Sequence, residues 1–123
     1  MTGPAVILAV EDDPGNVALL RAILEKAGHR LVAMGSLGEA RAWLAGAAPD
    51  LVLLDRHLPD GDGLDLLAEI RRDERASVPV LMVSASVLPG DRDAALAAGC
   101  DAFIEKPVRV RTLLDAIARS LAA

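Results

Sequence analysis

The sequence is poor in cysteine and in long apolar runs, and each shortage excludes a class of protein. Cys100 is the only cysteine among 123 residues, so no disulfide can form within the chain, and a reducing compartment is expected. No apolar run approaches the ~20 residues of a membrane-spanning helix, and the N-terminus lacks the charged start and apolar stretch of a signal peptide. We therefore expect a soluble, cytoplasmic protein.

Basic charge and aromatic residues are also scarce. The formal net charge is −5 and no basic stripe is present, which is a poor match for nucleic-acid binding. Trp43 and Phe103 are the only aromatic residues of the Phe, Trp and Tyr types, so the core must be aliphatic. Because 53% of the residues are hydrophobic and 25% are charged, the composition is that of a folded chain. Its length predicts one compact domain over residues 1–123.

Short apolar runs alternate with amphipathic stretches along the whole chain. The pattern predicts strands at 5–10, 29–34, 50–54, 78–86 and 101–105. It predicts helices at 16–28, 36–47, 64–73, 91–98 and 110–121. Strands that are nearly continuous apolar runs and alternate with helices indicate a parallel sheet covered on both faces. The predicted fold is an α/β doubly wound (βα)5 domain, whose binding crevice lies at the carboxyl ends of the strands.

Polar residues stand at the carboxyl ends of most predicted strands. Glu11 and Asp12 follow strand one, Asp55 follows strand three, Ser84 ends strand four and Lys106 follows strand five. A lone aspartate before a turn is usually a turn or capping residue. Because all strand ends share one edge of a parallel sheet, however, we expect these residues to converge there.

The expected cluster carries unbalanced charge. Glu11, Asp12 and Asp55 bring three negative charges, and Lys106 brings one positive charge. Carboxylates held together at a partly buried edge repel one another. An oxygen-preferring divalent cation removes the imbalance, and Mg²⁺ is the natural choice, with Mn²⁺ as the alternative ion. Zinc is not favoured, because His and Cys do not cluster.

This constellation resembles the receiver domain of two-component response regulators, the CheY-like family. The resemblance covers the whole chain and is carried by "VEDD" after strand one, "DRHLPDGDG" after strand three, "SAS" after strand four and "KP" after strand five. It implies a flavodoxin-like five-stranded parallel sheet of order 2-1-3-4-5, the order that CheY itself has. It also implies a phosphoprotein of signal transduction rather than an enzyme, one that promotes its own phosphorylation and slow dephosphorylation.

The resemblance assigns a role to individual residues of the cluster. Asp55 matches the phosphoacceptor, which would become a 4-aspartylphosphate. Asp12 matches a direct Mg²⁺ ligand, Glu11 an acidic neighbour that acts through metal-bound water, and the backbone carbonyl of His57 the third ligand. Lys106 matches the lysine that contacts the phosphoryl group.

Four residues match positions that govern the signal and its lifetime. Ser84 matches the switch hydroxyl, and Phe103 matches the switch aromatic without the hydroxyl of a tyrosine. On phosphorylation Ser84 is expected to move toward the phosphoryl oxygens and Phe103 to swing inward, which reshapes the face of helix four, strand five and helix five. His57 and Ser86 lie two residues beyond the acceptor and the switch hydroxyl, and both side chains are expected to influence hydrolysis of the aspartyl phosphate.

The implied partners are a sensor histidine kinase or histidine phosphotransfer protein and a downstream protein target, without nucleic acid or membrane insertion. We expect no output domain after residue 123, and we expect either a stand-alone DivK-like or phosphorelay regulator or a receiver excised from a hybrid histidine kinase. A docking pseudo-receiver is a third alternative, which intact Asp55 and Lys106 disfavour. A haloacid dehalogenase phosphatase would need D-x-D where this chain has Glu11-Asp12-Asp13, and an FMN-binding flavodoxin would need a hydroxyl- and glycine-rich loop there.

Overall fold

A computed structural model describes residues 4–73, 77–85 and 88–122 of the chain. Within them, five strands form the main sheet: β1 (Val6–Val10), β2 (Arg30–Met34), β3 (Leu51–Asp55), β4 (Val80–Ser84) and β5 (Ala102–Glu105). The helices of these residues are α1 (Pro14–Lys26), α2 (Leu37–Gly46), α3 (Gly63–Arg72), α4 (Asp91–Ala97) and α5 (Val110–Ala122). Two-residue strands His57–Leu58 and Gly61–Asp62 pair antiparallel between β3 and α3. We call residues 57–62 the β3–α3 hairpin, which the sequence analysis did not predict.

The main sheet is parallel throughout and has the strand order β2-β1-β3-β4-β5. The predicted doubly wound fold and its order 2-1-3-4-5 are therefore confirmed. Every residue of the central strand β3 is buried, because helices cover both of its faces. This double burial explains why Leu51–Leu54 reads as an unbroken apolar run rather than as an alternation.

Two apolar clusters fill the space between the sheet and its helices. One cluster joins one sheet face to α1 and α5, and its fully buried members include Leu24 and Leu113. The other joins the opposite face to α2, α3 and α4, and includes Leu37, Leu67 and Met82. The predicted aliphatic core is thus present as two layers that hold the strand ends in fixed register.

None of the helices in residues 4–73, 77–85 and 88–122 is both long enough and apolar enough to cross a membrane.

Helix α1 begins at Pro14, two residues before the predicted start. Asp13 caps it, since its Oδ1 accepts a hydrogen bond of 2.9 Å from the Gly15 N–H. Proline suits the first helical turn, where its missing N–H has no intrahelical acceptor to bond. Asp13 and Pro14 therefore form the helix start rather than a separate turn before it.

Helix α2 takes its N-terminal cap from a distant carboxylate. Asp60 of the β3–α3 hairpin accepts hydrogen bonds from the N–H groups of Leu37 (2.8 Å) and Gly38 (2.9 Å). Ser36 is a second cap, since its Oγ accepts a 3.1 Å hydrogen bond from the Glu39 N–H. Asp60 precedes α3 in the sequence, but its carboxylate does not bind the start of that helix in these hydrogen bonds. The carboxylate instead ties the hairpin to the neighbouring helix.

Replacing Asp60 with asparagine is expected to lower the melting temperature at neutral pH, because the amide offers one uncharged carbonyl oxygen to two α2 N–H groups. The bonds to Gly38 and Leu37 lower the pKa of Asp60 below its ordinary value. A lowered carboxyl pKa adds stability above the unfolded value of about 4 and loses it as pH falls through the folded value. The melting-temperature gap between Asp60→Asn and the parent should therefore shrink below about pH 4. Asp115→Asn, the same charge change at an exposed position of α5, should show no comparable gap.

Candidate functional site

The polar strand ends meet at the carboxyl edge of the sheet, as predicted. Val10 lies opposite Leu54, so Glu11 and Asp55 come next on neighbouring strands. On the other side of β3, Asp55 lies opposite Val83, which places Ser84 one residue beyond. Parallel pairing in this register brings residues that are far apart in the sequence to one edge.

Lys106 joins the two buried carboxylates of this edge. Its Nζ donates hydrogen bonds to Glu11 Oε1 at 2.6 Å and to Asp55 Oδ2 at 3.0 Å. Burial alone would lower the pKa of Lys106, but the hydrogen bonds to Glu11 and Asp55 outweigh it and raise the pKa above its ordinary value. Lys106 is therefore a fixed ammonium charge at neutral pH, directly beside an oxygen of Asp55.

Three carboxylates come together around that ammonium. Glu11, Asp12 and Asp55 each offer one oxygen, and these oxygens lie within 4.8 Å of one another. Glu11 and Asp55 are buried, whereas Asp12 is exposed. Three carboxylates against one ammonium leave an excess of negative charge, and oxygen donors of this kind suit Mg²⁺. The donor chemistry and the charge balance both fit a divalent cation.

The backbone near Asp55 orients these side chains. The second oxygen of Glu11, Oε2, accepts a 3.1 Å hydrogen bond from the Asp13 N–H at the start of α1. Asp55 Oδ1 accepts a long bond of 3.4 Å from the His57 N–H. His57 itself is exposed on the β3–α3 hairpin, so its side chain lies at the rim of the site. Its proposed role as a backbone ligand stays a prediction.

The backbone of Gly63 lies close to the backbone of Asp55, and this contact was not predicted from the sequence. A Cβ built on Gly63 would lie 2.2 Å from the carbonyl oxygen of Asp55 and 3.2 Å from Arg56 Cα. The Gly63 N–H also donates a 2.7 Å hydrogen bond to the Arg56 carbonyl. The first residue of α3 therefore packs directly on the backbone of the acidic strand end. The sequence "DGDG" gives no sign of this contact, because glycine is also common in turns.

The residues predicted to act as a switch lie on β4 and β5. Ser84 is fully buried at the end of β4, and its carbonyl accepts a 2.9 Å hydrogen bond from the Lys106 N–H. Phe103 is 5% exposed, and the Arg92 guanidinium lies 5.5 Å from the centre of its ring. The ring is therefore buried in this structure, and its movement on phosphorylation stays a prediction. Ser86 falls outside the described residues.

The fold and this edge together define a doubly wound α/β domain with a buried carboxylate, an ammonium and further acidic groups at the strand tips. Residues 7–118 match the family model of the response regulator receiver domain. The chain belongs to this family, whose members are signalling domains of two-component systems.

The relatives are spread over several kinds of regulator. The chain is 32% identical over 112 residues to the polar-differentiation response regulator DivK of Brucella ovis, covering 90% of this chain and 91% of DivK. A CheY-like receiver domain protein of Methanospirillum hungatei has a TM-score of 0.90 and 32% identity, over 98% of this chain and 95% of that one. The receiver domain of a sensor histidine kinase from Pseudomonas aeruginosa has a TM-score of 0.89 and 30% identity, over 98% of this chain and 100% of that one. That structure holds a magnesium ion in its active site cleft.

Proposed function

We propose that Asp55 accepts a phosphoryl group in a Mg²⁺-dependent reaction and that the chain thereby switches its binding to a downstream protein. The observation that carries this proposal is the position of Asp55: a buried carboxylate whose Oδ2 lies 3.0 Å from Lys106 Nζ, within the cluster that also contains Glu11 and Asp12. Phosphoryl transfer depends on positioning and on neutralising the phosphoryl oxygens. This edge supplies both.

The proposed donor is the phosphohistidine of a sensor histidine kinase or of a histidine phosphotransfer protein. An oxygen of Asp55 attacks the phosphorus, an O–P bond forms, the P–N bond to the donor imidazole breaks, and the imidazole takes up a proton. Lys106 neutralises developing charge beside the attacking oxygen, and Ser84 donates a hydrogen bond. Asp12, Asp55, Glu11 and the His57 carbonyl would hold Mg²⁺, which when bound supplies positive charge for the phosphoryl oxygens.

Incubation with acetyl phosphate and Mg²⁺ tests the proposal. We expect the intact mass to increase by one phosphoryl group, and the increase to disappear with Asp55→Asn or without divalent cation. Asp65→Asn is the matched control, because it removes an exposed carboxylate from the first turn of α3. Labelling of Asp55→Asn at the parental level would show that another residue is the acceptor. No labelling of the parent would favour the docking pseudo-receiver.

Replacing Asp12 with asparagine is expected to weaken Mg²⁺ binding by at least about tenfold. Removing a group that only hydrogen-bonds to a metal ligand already weakens binding by that much, and Asp12 is proposed to bind the metal itself. The fold should stay intact, and the metal-free protein should become more stable, since repulsion among Glu11, Asp12 and Asp55 is relieved. Thermal unfolding across a Mg²⁺ titration measures both effects. Asp13→Asn is the control: it removes the neighbouring charge and keeps a good helix cap. Equal Mg²⁺ affinity in the two variants would remove Asp12 from the ligand set.

The proposed output surface is the face of α4, β5 and α5. A groove of about 450 Å³ lies there, with Arg92, Phe103, Glu105, Arg109 and Thr112 in its lining. Phosphorylation adds about two negative charges at the strand tips, and the Ser84–Phe103 pair is the proposed route by which this face senses them. The proposal applies equally to a stand-alone regulator and to a receiver of a hybrid kinase, since the response regulator DivK and the receiver domain of a sensor histidine kinase have similar identity to this chain.

A further inference from the structure

The residue that follows the acceptor, Arg56, joins the N-terminal turns of two helices. Its Nε donates to Asp62 Oδ2 at 3.3 Å, and its Nη1 donates to Asp91 Oδ1 at 3.0 Å. Asp62 is the N-cap of α3, where its Oδ1 accepts a 2.9 Å bond from the Leu64 N–H. Asp91 opens α4, and its Oδ2 accepts a 2.8 Å bond from the Leu88 N–H. One guanidinium therefore links the starts of α3 and α4.

This link is largely shielded from water on the α4 side. The side chains of Arg56 and Asp91 are 22% and 17% exposed, so salt screens the pair less than an ordinary surface ion pair. The backbone of Arg56 is held as well, because its carbonyl accepts the 2.7 Å bond from Gly63. Arg56 is thus anchored at both ends, and its backbone continues directly into Asp55 on one side and His57 on the other.

We propose that Arg56 is a positioning residue that couples the first turn of α4 to the acidic site. A displacement of Asp91 changes the position of the guanidinium, and the backbone of Arg56 transmits that change to Asp55 and to the His57 carbonyl. The inference rests on the proposed function, because it takes the acidic cluster as the Mg²⁺ and acceptor site. It adds a second route between this site and α4, one that uses neither Ser84 nor Phe103.

Coupling between two sites is reciprocal, so a substitution on α4 must change binding at the carboxylates. Simple charge effects and positioning predict different signs for Arg56→Met. By charge alone, Arg56→Met removes a positive charge near the site and should tighten Mg²⁺ binding, whereas Asp91→Asn should weaken it. If Arg56 acts by positioning, both variants weaken Mg²⁺ binding, and the second change has no further effect once the first has broken the pair.

A double-mutant cycle on the Mg²⁺ dissociation constant tests the proposal. Titration calorimetry measures this constant. We expect Arg56→Met and Asp91→Asn each to raise the Mg²⁺ dissociation constant by about 2- to 30-fold, the usual range for coupling through a packed network. The double variant should match the weaker-binding single variant. Asp93→Asn, with the same charge change on the same exposed turn of α4, should stay near the parent. In parallel, adding Mg²⁺ should shift the amide signals of residues 88–94 in the parent and not in Arg56→Met.

Two outcomes would overturn the coupling. One is tighter Mg²⁺ binding by Arg56→Met with additive effects in the double variant, which is the result of charge alone. The other is a Mg²⁺-induced shift of residues 88–94 that persists in Arg56→Met. Arg56→Lys gives a second check that keeps the charge: lysine lacks the planar fork that reaches two carboxylates, so Mg²⁺ binding should still weaken. A parent that binds no Mg²⁺ would overturn the acidic site itself, whereas an additive cycle in a Mg²⁺-binding parent overturns the coupling only.

Discussion

Replacing Lys106 with methionine is expected to lower the free energy of unfolding by about 3 kcal/mol when no divalent cation is present, because removing one partner of a buried ion pair leaves uncompensated charge. The side chains of Lys106, Glu11 and Asp55 are 14%, 5% and 9% exposed, so water does little to solvate the carboxylates that lose their partner. A saturating Mg²⁺ concentration should recover much of the loss, since a bound cation replaces the missing charge and stabilises the folded state by mass action. Urea unfolding with and without Mg²⁺ measures both quantities.

The pH dependence of this effect follows from the raised pKa of Lys106. A raised amine pKa contributes stability that is complete below the unfolded value of about 10.4 and is lost only as pH rises through the folded value. The destabilisation of Lys106→Met should therefore stay constant from neutral pH up to that region and shrink above it. The other lysine of the chain, Lys26, is exposed at the end of α1, so Lys26→Met should cost only a few tenths of a kcal/mol. Equal losses in the two variants, or no Mg²⁺ rescue, would contradict the buried cluster.

Gly63→Ala is expected to lower the free energy of unfolding by about 3 kcal/mol, at the upper end of what overpacking usually costs. The reason is contact rather than backbone conformation, because Gly63 does not have a positive φ. Its added Cβ would lie 2.2 Å from the Asp55 carbonyl oxygen, and relief requires the backbone of α3 or of β3 to move. Since β3 carries the proposed acceptor, Asp55, labelling by acetyl phosphate should fall together with stability.

Gly46→Ala is the matched control for this substitution. Gly46 is the last residue of α2, has no positive φ, and an added Cβ would meet no atom within 4 Å. Alanine there should be neutral or should stabilise by up to about 1 kcal/mol, because it is the better helix former. Urea unfolding of both variants separates contact from helix propensity. A Gly63→Ala protein as stable as Gly46→Ala would mean that the β3–α3 contact is looser than the structure has it.

The sheet and the acidic edge could be predicted because both depend on local patterns. A strand buried on both faces reads as an apolar run, and a charged residue directly after it marks the strand end, as Leu51–Asp55 does. Once parallel order is inferred, strand ends that are distant in sequence must share an edge. This reasoning placed Glu11, Asp55, Ser84 and Lys106 together without any knowledge of side-chain contacts.

The partners of turn residues could not be predicted in the same way. Asp60 lies beside α3 in the sequence, yet it caps α2 through Leu37, 23 residues earlier. Arg56 pairs with Asp91, 35 residues later. Aspartate favours any nearby helix start, so the sequence pattern does not select between α2 and α3. Packing of the hairpin against α2 makes that selection, and it follows from the fold rather than from residue spacing.

Mapping the phosphorylated residue tests the central claim most directly. Borohydride reduces an aspartyl phosphate to homoserine, which marks the acceptor permanently for peptide mass spectrometry. After treatment with acetyl phosphate and Mg²⁺, we predict homoserine at Asp55 alone, and none when Mg²⁺ is withheld. Homoserine at Asp12 or at Asp13, or conversion at Asp55 that does not require a divalent cation, would contradict the account.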